Sequence, residues 1–159
     1  MAESIYVQGV SRKARYESLL PQIHALVEGE PDTIANISNV IAALKYGMGF
    51  FWIGLYFVKN EELVLGPFQG PVACTRIAKG KGVCGYAYAI AQTVIVKDVD
   101  LFPGHISCNA ASRSEIVIPL FNDKKEVTGV LDVDSVSLAD FDETDKLYLE
   151  QIAALISGF

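Results

Sequence analysis

The segment SEIVIPLFNDKKEVTGVLDVDS, residues 114–135, carries two apolar runs, Ile116–Phe121 and Val127–Val133, on either side of the polar stretch Asn122–Lys125. Branched and aromatic side chains suit a pleated strand, and the polar stretch suits a reversal, so the segment predicts a β-hairpin. A symmetric turn would set Glu115 directly opposite Asp132. Asp134 has the same parity as Asp132, because side chains alternate between the two faces of a strand. Three carboxylates are therefore expected on one face, while Leu131 and Val133 enter a core on the other. A slip of one residue would send Glu115 and Asp132 to opposite faces. Like charges facing each other on a sheet repel. Acids that interrupt an apolar strand thus point to a pocket for a cation, or to a source of protons.

The flanking sequence supplies layers for this hairpin. Helical spacing of Tyr16, Leu19, Leu20, Ile23, Leu26 and Val27 predicts a helix over 12–27, with Pro21 at odds with an unbroken one. Pro31 and Asp32 open a second helix with a stripe of Ile34, Ile37, Ile41 and Leu44, and Gly47 is expected to end it. Period-two alternation predicts a strand over 50–58, with 62–65 returning beside it. A short strand over 72–77, a small-residue helix over 83–91, a strand over 93–96 and an irregular stretch over 98–114 follow. A closing helix begins after Phe141–Glu143, with the stripe Leu149, Ile152, Ala153 and Ile156 and acids at its positive end. Helices with mostly antiparallel strands make an α+β domain, one face of the sheet covered by helices and the other left for a pocket.

Composition narrows the function. The 159 residues are 51% hydrophobic, enough for one domain spanning 1–159 with a sizeable core. A net charge of −6, from 13 basic and 19 acidic residues, argues against nucleic acid or an anionic membrane as partner. The start MAESIYVQGVSRKAR lacks the apolar core of an export signal, and no apolar run is long enough to span a bilayer, so a cytoplasmic protein is expected. Three cysteines, Cys74, Cys84 and Cys108, form an odd set that does not suit a permanent disulfide framework.

Trp52 and Tyr56 share a strand face, with Gly54 between them leaving room for an approaching group. Two aromatic walls beside an acidic floor suit a small zwitterion, and two rings packed at the core edge would produce the same pattern. Cys108 lies in a loop, 102–109, just before the strand of Glu115. Its acidic surroundings discourage a thiolate, so activation would come from backbone donors, His105 or bound substrate. Cys84, near a helix start where the dipole favours a thiolate, is a rival nucleophile. Cys74 reads as a small buried strand residue or a redox partner. Gly80-x-Gly82-x-x-Gly85 matches a dinucleotide fingerprint, but no acid stands about twenty residues on and no βαβ alternation surrounds it. Cys74, Cys84, His105 and Cys108 could ligate zinc, yet no closely spaced Cys pair is present, and no metal is expected.

The runs GPFQGPVACTRI (66–77), KGKGVCG (79–85), FPGHISCNAASRSEIVIPL (102–120) and GVLDVDS (129–135) resemble free methionine-R-sulfoxide reductases. The resemblance implies a single GAF domain, a central antiparallel sheet flanked by helices, forming a homodimer through its helices. It further implies an oxidoreductase that acts on the free amino acid, uses no bound cofactor and serves in the response to oxidative stress. Cys108 would attack the sulfoxide sulfur, and Cys74 would be the principal thiol that resolves the sulfenic acid to a redox-active disulfide, with Cys84 the alternative for either task. Thioredoxin would be the electron donor and partner. Glu115, Asp132 and Asp134 would hold the substrate ammonium and protonate its oxygen, while Trp52 and Tyr56 cradle the S-methyl group. A small-molecule sensor on the same fold and a peroxide-responsive thiol switch compete with this reading. No output domain is expected to serve a sensor.

Overall fold

A computed structural model describes residues 4–106 and 108–159. Ser107, within the irregular loop, and residues 1–3 of the expected domain lie outside the described residues. The first helix, α1, runs Arg12–Val27, with Ser11 as its cap accepting from the Ala14 amide. It continues through Pro21, which lies away from the buried positions Tyr16, Leu19, Ile23 and Val27. Helix α2, Thr33–Met48, starts at the Asp32 cap and ends at Gly49, whose left-handed φ of 77° suits glycine. Two expectations fail here. Gly47 is inside α2, where a Cβ would strike the Leu19 side chain, so its glycine serves the contact between α1 and α2. Ile34 is exposed, in the first turn of the helix, and does not join the buried stripe.

Strands β1 (Trp52–Lys59), β2 (Glu62–Gln69), β3 (Arg76–Ala78), β4 (Val94–Val96), β5 (Ser114–Phe121) and β6 (Val127–Ser135) form one sheet in the order β3-β2-β1-β6-β5-β4. All its pairings are antiparallel. Helix α3, Gly82–Ile90, precedes β4, and a short 3-10 turn, Val99–Leu101, interrupts the stretch expected to be irregular. Strand β3 is shorter and later than the expected 72–77, which leaves Cys74 in a loop rather than a strand.

One face of the sheet presents Ile53, Leu55, Ile116, Ile118, Leu120, Leu131 and Val133 to α2, α4 (Glu143–Ile156) and the outer helix α1. The opposite face carries Trp52, Tyr56, Val117 and Val130 beneath α3. The period-two alternation of β1, β5 and β6 thus serves two separate apolar layers. Burial on both faces makes the strands rigid floors for whatever projects from them.

The start of α4 ties the helical layer together. Asp142 accepts from the amides of Thr144 and Asp145, and the Asp145 carboxylate accepts in return from the Asp142 amide. Asp145 is fully buried. It also accepts from Arg12 Nη1 at 3.0 Å and from the Tyr16 hydroxyl at 2.8 Å, which joins α1 to α4. A buried carboxylate with all these donors is stabilising only while the set is complete. Asp145→Ala is expected to lower the unfolding free energy by about 3 kcal/mol, measured by urea denaturation against the exposed control Asp123→Ala. A loss below about 1 kcal/mol would show that this network does not hold α1 to α4.

Candidate active site

The β5–β6 hairpin delivers the three acids, though not in the symmetric register. Glu115 pairs with Asp134, and Asp132 pairs with Val117. The turn is one residue longer than expected, since Asn122 and Glu126 close it by a backbone hydrogen bond, and a further irregularity falls between Leu120 and Phe121. Two single-residue offsets add to an even shift, so the face is conserved although the partners change. Glu115 and Asp132 become diagonal neighbours rather than direct ones. On the other side of β6, Asp134 pairs with Trp52 and Asp132 with Gly54.

Glu115 and Asp132 are each 6% exposed. Desolvation first, then the adjacent carboxylates, push both acids well above the ordinary carboxylate range. Burial raises Asp134 from 3.8 to about 6, opposed by a hydrogen bond from Ser112. At neutral pH the cluster therefore retains protons.

Cys84 reaches this floor from α3. Its Sγ lies 3.7 Å from a Glu115 carboxylate oxygen. Burial, followed by the charges of Asp132 and Glu115, pushes the Cys84 thiol up. The expected thiolate at a helix start is thus overturned, because desolvation and two acids outweigh the helix dipole.

Cys74 and Cys108 are joined by a disulfide, with their Cα atoms 5.2 Å apart. Cys84 is the free cysteine. The bond breaks up the four-residue zinc set considered from the sequence, since two of its members hold each other. Trp52 and Tyr56 face the same side, with ring centroids 6.2 Å apart, and Phe68 also stacks on Trp52 at 5.5 Å. Gly54 does not leave room for a ligand. A Cβ there would meet the Trp52 ring and Phe68, so the indole itself fills the space. Both rings are buried and use their polar atoms on the loop that carries Cys74. Trp52 Nε1 donates to the Pro71 carbonyl at 2.9 Å, and the Tyr56 hydroxyl donates to the Cys74 carbonyl at 3.1 Å. The two aromatics therefore anchor the disulfide loop as well as walling the site.

One small cavity, of about 30 Å³, is lined by Trp52, Tyr56, Cys84, Cys108 and the three acids. His105 also lines it. Burial lowers the His105 pKa, and its Nδ1 lacks a hydrogen-bond partner among the described residues. Ser112 contributes a hydroxyl to Asp134. No periodic signal marks Ser112, because it lies in the irregular loop between the 3-10 turn and β5. Backbone bonds from Val99 to Arg113 and from Arg113 to Ser135, together with the Cys74–Cys108 disulfide, hold that loop over the sheet end. The arrangement brings a disulfide and a proton-retaining acid cluster around one small cavity.

Known proteins carry the same architecture. The GAF domain family matches residues 28–158. GAF domain-containing protein A of Dictyostelium discoideum is 55% identical over 159 residues, covering 99% of this chain and 100% of its own. Free methionine-R-sulfoxide reductase of Escherichia coli is 44% identical, covering 87% of this chain and 84% of its own. An X-ray structure of free methionine-R-sulfoxide reductase from Neisseria meningitidis, in complex with its substrate, superimposes with a TM-score of 0.95 at 50% identity, covering 99% of this chain and 95% of that one. The chain belongs to the GAF-domain family and is a homologue of proteins named free methionine-R-sulfoxide reductase.

Proposed function

We propose that this protein reduces free methionine R-sulfoxide to methionine, with Cys108 as nucleophile, Cys74 as resolving thiol and thioredoxin as electron donor. The observation that carries this reading is the Cys74–Cys108 disulfide, with Cys108 lining the same cavity as Glu115, Asp132 and Asp134. The similarity to reductases from bacteria and yeast supports the substrate.

In the reduced enzyme the Cys108 sulfur attacks the sulfoxide sulfur. The sulfoxide S–O bond breaks as its oxygen takes up protons. The sulfoxide oxygen leaves as water, a second water adds to the Cys108 sulfur as the bond to the substrate sulfur breaks, and methionine departs reduced by two electrons while Cys108, oxidised by two, is left as a sulfenic acid. The Cys74 thiol then displaces the sulfenic oxygen as water and forms the disulfide. A dithiol of the thioredoxin class returns both sulfurs to thiols by exchange. Sulfoxide oxygen is a poor leaving group until it is protonated, and the raised acids of the floor are loaded to supply the proton. The remaining carboxylate charge receives the ammonium of the substrate. A peptide-bonded methionine has no such charge, so burial of the ammonium in this cluster explains a preference for the free amino acid. His105 stands neutral at the cavity wall, where Nδ1 is available to the Cys108 thiol or to the substrate. Cys84 keeps its proton in this scheme and serves the floor.

Among the described residues no helix is long and apolar enough to cross a membrane. A cytoplasmic enzyme that salvages oxidised methionine, acting as a homodimer, fits the acidic composition and the thiol chemistry.

Turnover is measured in a coupled assay with thioredoxin, its reductase and NADPH, offering free methionine R-sulfoxide, the S epimer and a peptide-bound sulfoxide. Cys108→Ser is expected to abolish turnover, and Glu115→Gln or Asp132→Asn to lower kcat by at least about 10²-fold. Near-normal rates in both acid variants would remove the proton-donor role, and equal rates on the peptide would remove the ammonium argument. The acid cluster also sets a pH dependence of stability. Folding raises the Asp134 pKa from 3.8 to about 6, so the folded state binds more protons than the unfolded chain. Stability therefore falls as pH rises through that window, and the full penalty is present above it. Asp134→Asn is expected to stabilise the protein at pH 7 by roughly 1–3 kcal/mol, with the gain shrinking toward zero near pH 4. Thermal or urea melts at both pH values decide this, and an equal gain at each would contradict it.

A further inference from the structure

We propose that Cys84, Glu115 and Asp132 form a binding site for a borderline-soft divalent cation of the zinc class. One ligand atom from each residue lies within 4.8 Å of the other two. All three side chains are buried, at 3%, 6% and 6% exposure. Asp132, a side chain more than nine-tenths buried, lines the cavity, and its Oδ1 has no hydrogen-bond partner among the described residues. An orphaned buried carboxylate oxygen is an acceptor waiting for a donor or a cation.

The size of the space selects among occupants. A cavity of about 30 Å³ holds a water-sized body. With the Cys74–Cys108 disulfide closed, that space suits an ion better than an amino acid. The donor set selects among ions. One sulfur and two carboxylates match the mixed ligands of Zn²⁺, at about 2.3 Å for sulfur and 2.0–2.2 Å for oxygen, with three protein ligands and an open fourth position. Magnesium and calcium prefer oxygen-only shells with more ligands. A dication also reverses the local electrostatics, since mutual repulsion among the acids becomes shared attraction to the metal. No redox step is involved. The Cys84 thiol and any protonated carboxyl release their protons to solvent as the metal binds.

This ligand set is distinct from the one considered from the sequence, because Cys74 and Cys108 are occupied with each other and His105 takes no part. The cation is a competing occupant rather than a resident cofactor. If the reductase reading holds, it occupies the carboxylates that the substrate ammonium requires, which makes it an inhibitor.

Anaerobic titration of Co²⁺ into the full chain, with its disulfide intact, tests the site optically and without turnover. One equivalent is expected to bind and to produce thiolate-to-cobalt charge-transfer absorption. Cys84→Ser, which exchanges only sulfur for oxygen, is expected to abolish that band. Asp132→Asn is expected to weaken binding at least tenfold, with near-UV circular dichroism reporting that each variant keeps the fold. Excess Mg²⁺ should leave the band in place, and excess Zn²⁺ should erase it. Absence of a stoichiometric band, survival of the band in Cys84→Ser, or its displacement by Mg²⁺ would each overturn the site. The band does not depend on catalysis, so failure of the cation site leaves the reductase reading standing, and failure of the activity assay leaves the site standing.

Discussion

Three carboxyl groups held on one sheet face, Glu115 and Asp132 among them buried, are the constraint around which the rest of the molecule is arranged. Each would be ionised in solvent. Together under α3, Glu115 and Asp132 are pushed toward their protonated forms by desolvation and by one another. Such a cluster costs stability that the opposite face must offset. That face is a continuous apolar layer of β1, β5 and β6 against α1, α2 and α4, and it carries its own fully satisfied buried acid at Asp145. The contrast between the two buried acid sites is instructive. Asp145 is surrounded by donors and stabilises the helical layer, whereas Asp132 keeps an oxygen without one among the described residues.

The roof of the site depends on the floor. Trp52 and Tyr56 rise from the same face as the acids, and each ends in a hydrogen bond to the loop of Cys74. That loop is in turn tied to Cys108. Movement of the thiol loops is therefore coupled to two rigid, stacked rings rather than to solvent. In the disulfide state little space remains between the rings and the acids.

Much of this was legible in the chain. The boundaries of α1, the hairpin, the closing helix and the shared parity of Glu115, Asp132 and Asp134 follow from periodicity, because helix and strand repeats are local properties of the backbone. Turn length was not legible, since a polar run of that kind closes equally well with four or five residues. The face survived only because the added turn residue and the irregularity at Leu120/Phe121 add to a two-residue shift, which restores the parity. Glycines were misread for the same reason that they matter. Gly47 and Gly54 answer to Leu19, Trp52 and Phe68, which come from other turns and other strands.

By itself the sequence determined the α+β architecture, the single face bearing the acids, and, through the motifs around Cys74, Cys84 and Cys108, the family. Those properties are encoded in spacing along the chain. The tertiary structure alone decided that Cys74 and Cys108 meet while Cys84 sits protonated against Glu115, and that the aromatic pair anchors a loop. It also decided that one oxygen of Asp132 is left without a partner among the described residues. Each of these depends on distance and desolvation between segments far apart in the chain, and no local pattern of residues records either quantity.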